Sequence, residues 1–142
     1  MTPFSCIVLG NESLVACADT LLARSHSIAA VVTKDAEIRQ WAADKGLTVL
    51  EDARDFDGSV DWLLSIANLE IIPDSVLARA ANGGVNFHDG PLPRYAGLNT
   101  PNWALIEGLR VTGSPALIEG GVDEGDILAQ RLFAIAGDKD GL

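Results

Sequence analysis

Long apolar runs are missing from this 142-residue chain, and none approaches the roughly 20 residues that a helix needs to cross a bilayer. No membrane span is expected. The start, Met1-Thr2-Pro3-Phe4, lacks the basic n-region of a secretory signal, so the expected location is the cytoplasm. Basic residues are scarce: ten lysines and arginines face twenty acidic residues, giving a net charge of -10. The ten are scattered from Arg24 to Lys139 and form no cluster. Binding to nucleic acid rests on cations that neutralise phosphates, so such a partner is not expected on charge alone.

Cysteine is also sparse. Cys6 and Cys17 have no Cys-x-x-Cys neighbour, which removes zinc and redox motifs and leaves two small buried hydrophobes in a reducing compartment. Two distant histidines, His26 and His88, do not make a zinc set, and the acidic spacing does not follow a calcium-binding EF-hand loop. No metal is expected. Glycine is missing where a dinucleotide fold needs it: Gly10-Asn11-Glu12-Ser13 holds one glycine of the Gly-x-Gly-x-x-Gly fingerprint, which argues against a nicotinamide enzyme.

What is present points to a folded domain. Apolar residues make up 48% of the chain, enough for one core at this length. Phe4 to Leu9 reads as a buried strand ending at Gly10. Asn11 or Ser13 is expected to cap the next helix, which carries Leu14, Ala18, Leu21 and Leu22. Ser27 to Thr33 is a second strand, and Asp35 to Lys45 a helix stopped by Gly46. Leu47 to Leu50 and Val60 to Ala67 are the next strands. A helix runs from Pro73 through Ala81, with proline in its first turn, and Val85 to His88 is a fifth strand. A helix over Thr100 to Glu107 and strands over Val111 to Glu119 and Ile127 to Phe133 complete the pattern. Alternating strands and helices predict an α/β, Rossmann-like, mostly parallel sheet with helices on both faces. Such sheets bind ligands beyond the carboxyl ends of their strands. The tail Gly137 to Leu142 is polar and stops abruptly, which suggests a domain incomplete at its C-terminus.

Asn86 and His88 are two residues apart on the fifth strand and therefore share a face, opposite Val85 and Phe87. A carboxamide N–H can stabilise negative charge on a carbonyl oxygen, and imidazole is the usual proton-transfer group near neutral pH. Structural readings stand beside these: an asparagine closing a turn, and a histidine satisfied in a core. His26 reads as an exposed loop residue. The prolines Pro91 and Pro93, with Gly90 and Gly97, stiffen the loop that follows His88. Farther on, Glu119, Asp123, Glu124 and Asp126 sit among Gly120, Gly121 and Gly125, either as a solvated acidic turn or as a site that needs close approach. Trp62 and Trp103 read as packing residues and Trp41 as half exposed.

With Asn86-Phe87-His88, Pro91-Leu92-Pro93-Arg94-Tyr95-Ala96-Gly97 and Val122-Asp123-Glu124-Gly125-Asp126-Ile127-Leu128, the chain resembles the folate-dependent formyltransferases. The run Ser65-Ile66-Ala67-Asn68-Leu69 and the Asn-x-His-Asp-Gly-Pro-Leu-Pro form of the motif are most similar to the formylation domains of nonribosomal peptide synthetases. The resemblance implies one formyltransferase catalytic domain over residues 1–142. It implies that Asn86, His88 and Asp123 are catalytic. It further implies a folate pocket lined by Ser65, Ile66, Ala67, Asn68, Leu69 and Ile71, and by Gly120, Gly121, Val122 and Glu124. The implied cosubstrate is 10-formyltetrahydrofolate and the implied acceptor a primary amine. Among acceptors, a carrier-protein-bound aminoacyl group from a downstream synthetase module is favoured over a tRNA or a sugar amine. A hydrolase using water in place of the amine, and a non-catalytic folate-binding or structural domain, are the alternatives. One departure is visible: Gly113-Ser114-Pro115-Ala116 stands where the family carries Gly-Val-Thr-x-His. Pro115 lacks a ladder donor, which predicts an edge or a break in that strand.

Overall fold

The computed structural model describes residues 2–11, 13–90, 92–94, 96–97, 111–118 and 124–133. The chain divides into two compact units, Met1–Phe87 and His88–Leu142. The first carries strands β1 (Ser5–Gly10), β2 (Ser27–Val32), β3 (Val49–Leu50), β4 (Trp62–Ile66) and β5 (Gly84–His88). Helices α1 (Leu14–Ala23), α2 (Ala36–Asp44) and α3 (Asp74–Leu77) alternate with them. The strands run parallel in the order β3-β2-β1-β4-β5, as the alternating pattern predicts. β1 is buried on both faces from Cys6 to Gly10, so its apolar run is continuous rather than alternating. On α1, Leu14 and Ala18 lie one turn apart and are buried, and Ile38 and Ala42 do the same on α2.

Local chemistry explains most boundaries. The Asp35 carboxylate accepts from the backbone N–H of Glu37 and Ile38, both at 2.9 Å, and so starts α2. A cap of this kind contributes about 1 kcal/mol. The start of α1 differs from expectation, because neither Asn11 nor Ser13 caps it with a side chain. Ser13 adopts φ 64°, and Leu14 N–H bonds the Asn11 carbonyl instead. Helix α3 is shorter than expected for a tertiary reason. The Arg79 carbonyl accepts from Val60 N–H, and the Ala81 and Asn82 N–H groups bond the Val60 and Asp61 carbonyls. Those groups cannot also serve a helix. β4 stops before Ala67, whose φ of 47° leaves the strand region.

His26 is buried, not exposed. The tight turn after α1 hands the chain to β2 beside the entry to β1, where Ser27 N–H bonds the Phe4 carbonyl. The His26 ring stacks on Phe4 at 3.8 Å between centroids, and its Nδ1 accepts from Phe4 N–H. This histidine is a packing and hydrogen-bonding residue. Cys6 is fully buried and its thiol donates to the Ser27 carbonyl. Burial, with a smaller push from Asp61, raises that thiol to about 12, so it stays protonated and inert. Cys17 is half-buried on α1, less enclosed than expected.

The Asp61 carboxylate joins the start of β1 to the start of β4 by accepting from Ser5 N–H at 2.7 Å and Ser5 Oγ at 2.9 Å. These bonds hold its carboxyl below the usual range. A group depressed in the folded state stabilises above its unfolded value of about 4 and loses that contribution as pH falls through the folded value. Asp61→Asn is therefore expected to lower the urea midpoint at pH 7 relative to the parent chain. The difference should shrink progressively on acidification below about pH 4. A gap that stays constant down to the acid limit would show that the ionised carboxylate adds nothing.

The second unit holds β6 (Val111–Leu117) and β7 (Arg131–Phe133), paired antiparallel from Val111 opposite Phe133 to Gly113 opposite Arg131. β6 continues through Pro115, so the expected break does not occur. The proline falls beyond the β7 pairing and before the bridge from Ala116 to Ile127. The expected strand from Ile127 shrinks to that bridge and to β7, while the Gln130 side chain donates to the Leu92 carbonyl. The Leu92–Pro93 peptide is cis, and Leu92 is buried. The expected helix over Thr100 to Glu107, Trp103, and Gly120 to Asp123 of the acidic turn lie outside the described residues.

Candidate functional site

β5 delivers Asn86 and His88 to the carboxyl end of a parallel sheet, the end at which such sheets bind ligands. Asn86 is half-buried, Phe87 is exposed and His88 is buried. The alternation is inverted from that of an ordinary core strand, since the aromatic residue faces out and the imidazole in. In register, Asn86 lies opposite Ser65 of β4, and Phe87 opposite Ile66. The amide strand and the start of the expected folate segment are therefore neighbours in one sheet.

That segment changes character along its length. Ser65 and Ile66 are buried in β4. Ala67 turns the chain, and Asn68 closes a small loop by donating to the Glu70 carbonyl at 2.8 Å and accepting from Glu70 N–H. Leu69 and Ile71 then stand 71% and 83% exposed. Two apolar side chains this open leave an apolar surface just beyond the end of β4.

Beside the same segment lies a cleft of about 390 Å³ at the carboxyl ends of β1, β2 and β4. Its walls include Gly10, Asn11, Lys34, Asp52, Glu70 and Ile71. The strand order reverses between β1 and β4, the place where open α/β sheets form crevices. Gly10 has φ 145°, and a Cβ there would lie 1.8 Å from the Ile66 carbonyl oxygen. This glycine serves the close approach of β1 to β4. Lys34 pairs with Glu70, Arg54 with Asp52, and Arg39 with Glu51 at the rim. The Arg54 side chain holds the Asp52 carboxyl down to about 2, and hydrogen bonding to Glu70 raises Lys34. All three pairs are solvent-exposed and contribute little to stability. Sequence reasoning missed the Lys34, Asp52 and Arg54 wall. The signal was there, since each residue follows the end of a strand legible in the sequence.

In the second unit, Glu124 and Asp126 are exposed at the end of the acidic turn. Leu117 N–H bonds the Asp126 carbonyl at 2.9 Å. Asp123, Gly120, Gly121 and Val122 lie outside the described residues.

A parallel α/β sheet with an Asn-x-His strand end defines the class. The formyl transferase family profile matches residues 7–141, and the chain belongs to that family. Among curated relatives, methionyl-tRNA formyltransferase of Anaeromyxobacter dehalogenans (strain 2CP-C) is 30% identical over 146 residues, covering 87% of this chain and 47% of that protein. The enzyme of the same name from Geobacter metallireducens is 37% identical over 81 residues, 56% of this chain and 26% of that protein. The chain thus spans about half the length of the first of these relatives. Glycinamide ribonucleotide transformylase 1 from Geobacillus kaustophilus shares the fold with a TM-score of 0.77 at 17% identity, over 97% of this chain and 86% of that one.

One expectation falls here. Charge alone argued against a nucleic-acid partner, yet relative after relative is a methionyl-tRNA formyltransferase, an enzyme named for a tRNA. Net charge sums over all surfaces, and the sum for one chain does not report what a relative of twice its length contacts. None of these relatives is a synthetase domain. Among the described residues, no helix is long and apolar enough to cross a membrane.

Proposed function

We propose that this chain carries the catalytic centre of a formyltransferase that passes the formyl group of 10-formyltetrahydrofolate to a primary amine. The observation that carries the reading is the β5 terminus, with Asn86 and a buried His88 at the ligand-binding end of the sheet in a member of this family. The amine nitrogen bonds to the formyl carbon, and the formyl oxygen takes the negative charge. The Asn86 carboxamide N–H and the His88 imidazole donate to that oxygen. Asp123, or water held by it, accepts the proton released by the amine. The bond from carbon to the folate nitrogen breaks last, and that nitrogen leaves with the proton that Asp123 took from the amine. Residues Ser65 to Ile71 form one wall of the folate pocket, with the exposed Leu69 and Ile71 against the flat part of the cosubstrate. The family resemblance adds Gly120, Gly121, Val122 and Glu124 to the residues expected to contact folate.

The acceptor we favour is the amine of an aminoacyl group. The names of the curated relatives support a tRNA as its carrier, and the Asn-x-His-Asp-Gly-Pro-Leu-Pro form of the motif supports a carrier protein. Free thiols at Cys6 and Cys17 suit a reducing cytoplasm. The test is formyl transfer by the full polypeptide from labelled 10-formyltetrahydrofolate to methionyl-tRNA and to an aminoacylated carrier protein. Label on either amine is the expected result. Formate release with label on neither overturns amine transfer. In the same assay Asn86→Asp places a negative charge where a donor served the oxyanion. Turnover should fall about 10²–10³-fold, and an equal or faster rate would remove Asn86 from the oxyanion role.

A further inference from the structure

Between Ile66, buried at the end of β4, and Val76, buried in α3, residues 67–75 pass without one buried side chain. A segment with no core contact depends on its polar contacts for its place. Among the described residues, every side-chain hydrogen bond and ion pair of 67–72 meets at Glu70. The Asn68 carboxamide spends both its ends on the Glu70 backbone. Its Nδ2–H donates to the carbonyl at 2.8 Å, and its Oδ1 accepts from the N–H at 3.2 Å. This small ring opens at Ala67, whose φ of 47° turns the chain out of β4. The Glu70 carboxylate pairs in turn with Lys34, which follows β2. β1 lies between β2 and β4 in the sheet, so that pair reaches over one intervening strand. Leu69 and Ile71, the two exposed apolar residues, flank Glu70 on either side.

We propose that Asn68 is a positioning residue for the cosubstrate, which holds Leu69 and Ile71 in place by clasping the backbone of Glu70 between them. The proposal rests on the reading of Ser65 to Ile71 as a wall of the folate pocket. The resemblance placed Asn68 among the residues that line that pocket. Its amide is instead committed at both ends within its own loop, so it shapes the wall and does not recognise the ligand. Without the clasp, 67–72 samples many conformations, and binding must order it each time. That ordering cost weakens affinity and leaves the chemistry alone. Asn86 and His88 sit on β5, a different strand, so the rate at saturation is set elsewhere. The Lys34 pair is solvent-exposed and adds only a weak second tether.

The test is a double-mutant comparison in the full polypeptide, with calorimetric titration of 10-formyltetrahydrofolate beside kcat for formyl transfer. Asn68→Ala should weaken cosubstrate binding about tenfold. The melting temperature, and kcat at saturating cosubstrate, should stay near those of the parent chain. Leu69→Ser together with Ile71→Ser removes the surfaces to be positioned and should itself weaken binding. In that background Asn68→Ala should cost less than about twofold, because nothing is left to place. An unchanged affinity in Asn68→Ala overturns the proposal, as does a fall in kcat with affinity intact. A tenfold loss that persists in full in the serine background also overturns it, since Asn68 would then act on the folate directly. If the two serine changes alone leave the parent affinity, the folate wall reading fails first and takes this inference with it.

Discussion

Replacing His88 by alanine is expected to abolish measurable formyl transfer while the protein still folds and still binds the folate cosubstrate. His88 ends β5, so its loss breaks no strand interior. It is 7% exposed, so the fold of the variant is measured beside its activity. The chemistry it supplies is not replaceable by a neighbour. The Asn86 carboxamide can donate to an oxyanion but cannot carry a proton between water and substrate near neutral pH. Removing one oxyanion donor costs about 10²–10³-fold, and loss of the proton-transfer group adds to it. The combined expectation is a fall of about 10³-fold or more. Single-turnover assays with labelled 10-formyltetrahydrofolate, beside far-UV circular dichroism and folate titration, check it. Turnover within a few-fold of the parent chain would take His88 out of the mechanism and return it to the structural reading that any lone histidine carries.

The largest expected loss of stability comes from Gly10→Ala. Two penalties act at once. The φ of 145° is one that side chains rarely adopt, and the new Cβ would sit 1.8 Å from the Ile66 carbonyl oxygen and 2.8 Å from its carbon. The obstacle is backbone, not the flexible end of a side chain. Gly10 and Ile66 are register partners at the carboxyl ends of β1 and β4, so relief requires the last rung of that ladder to open. Overpacking with added backbone strain of this kind costs about 3 kcal/mol. Urea denaturation should show the midpoint falling with an unchanged slope. A midpoint equal to that of the parent chain would mean that β1 and β4 part at no cost. The consequence extends to ligand binding. Ala67, which starts the exposed Leu69 and Ile71 segment, is bonded directly to Ile66, so folate affinity should fall with stability.

Much of this fold is legible in the residues themselves. The buried run of β1, the Asp35 cap and the Gly46 stop of α2, and the pairing of Asn86 with His88 on β5 are local features, set by propensity, capping and strand alternation. The misses share a cause. Helix α3 stops early because Val60 and Asp61, far back in the chain, claim the backbone groups of residues 79–82. Ser13 caps nothing because the turn from Asn11 sets the start of α1 through the backbone. His26 is buried because β2 docks beside β1 and carries the preceding turn onto Phe4.

The sequence by itself determined the alternation of strands and helices, the amide and imidazole on one strand, and the lack of a dinucleotide fingerprint, since each depends on residues near one another along the chain. Only the tertiary structure decided the cleft between the ends of β1, β2 and β4, the burial of His26 and His88, and the glycine crossing at Ile66. These arise where segments distant in sequence meet at van der Waals distance, and no local pattern of residues encodes how closely two backbones will pass.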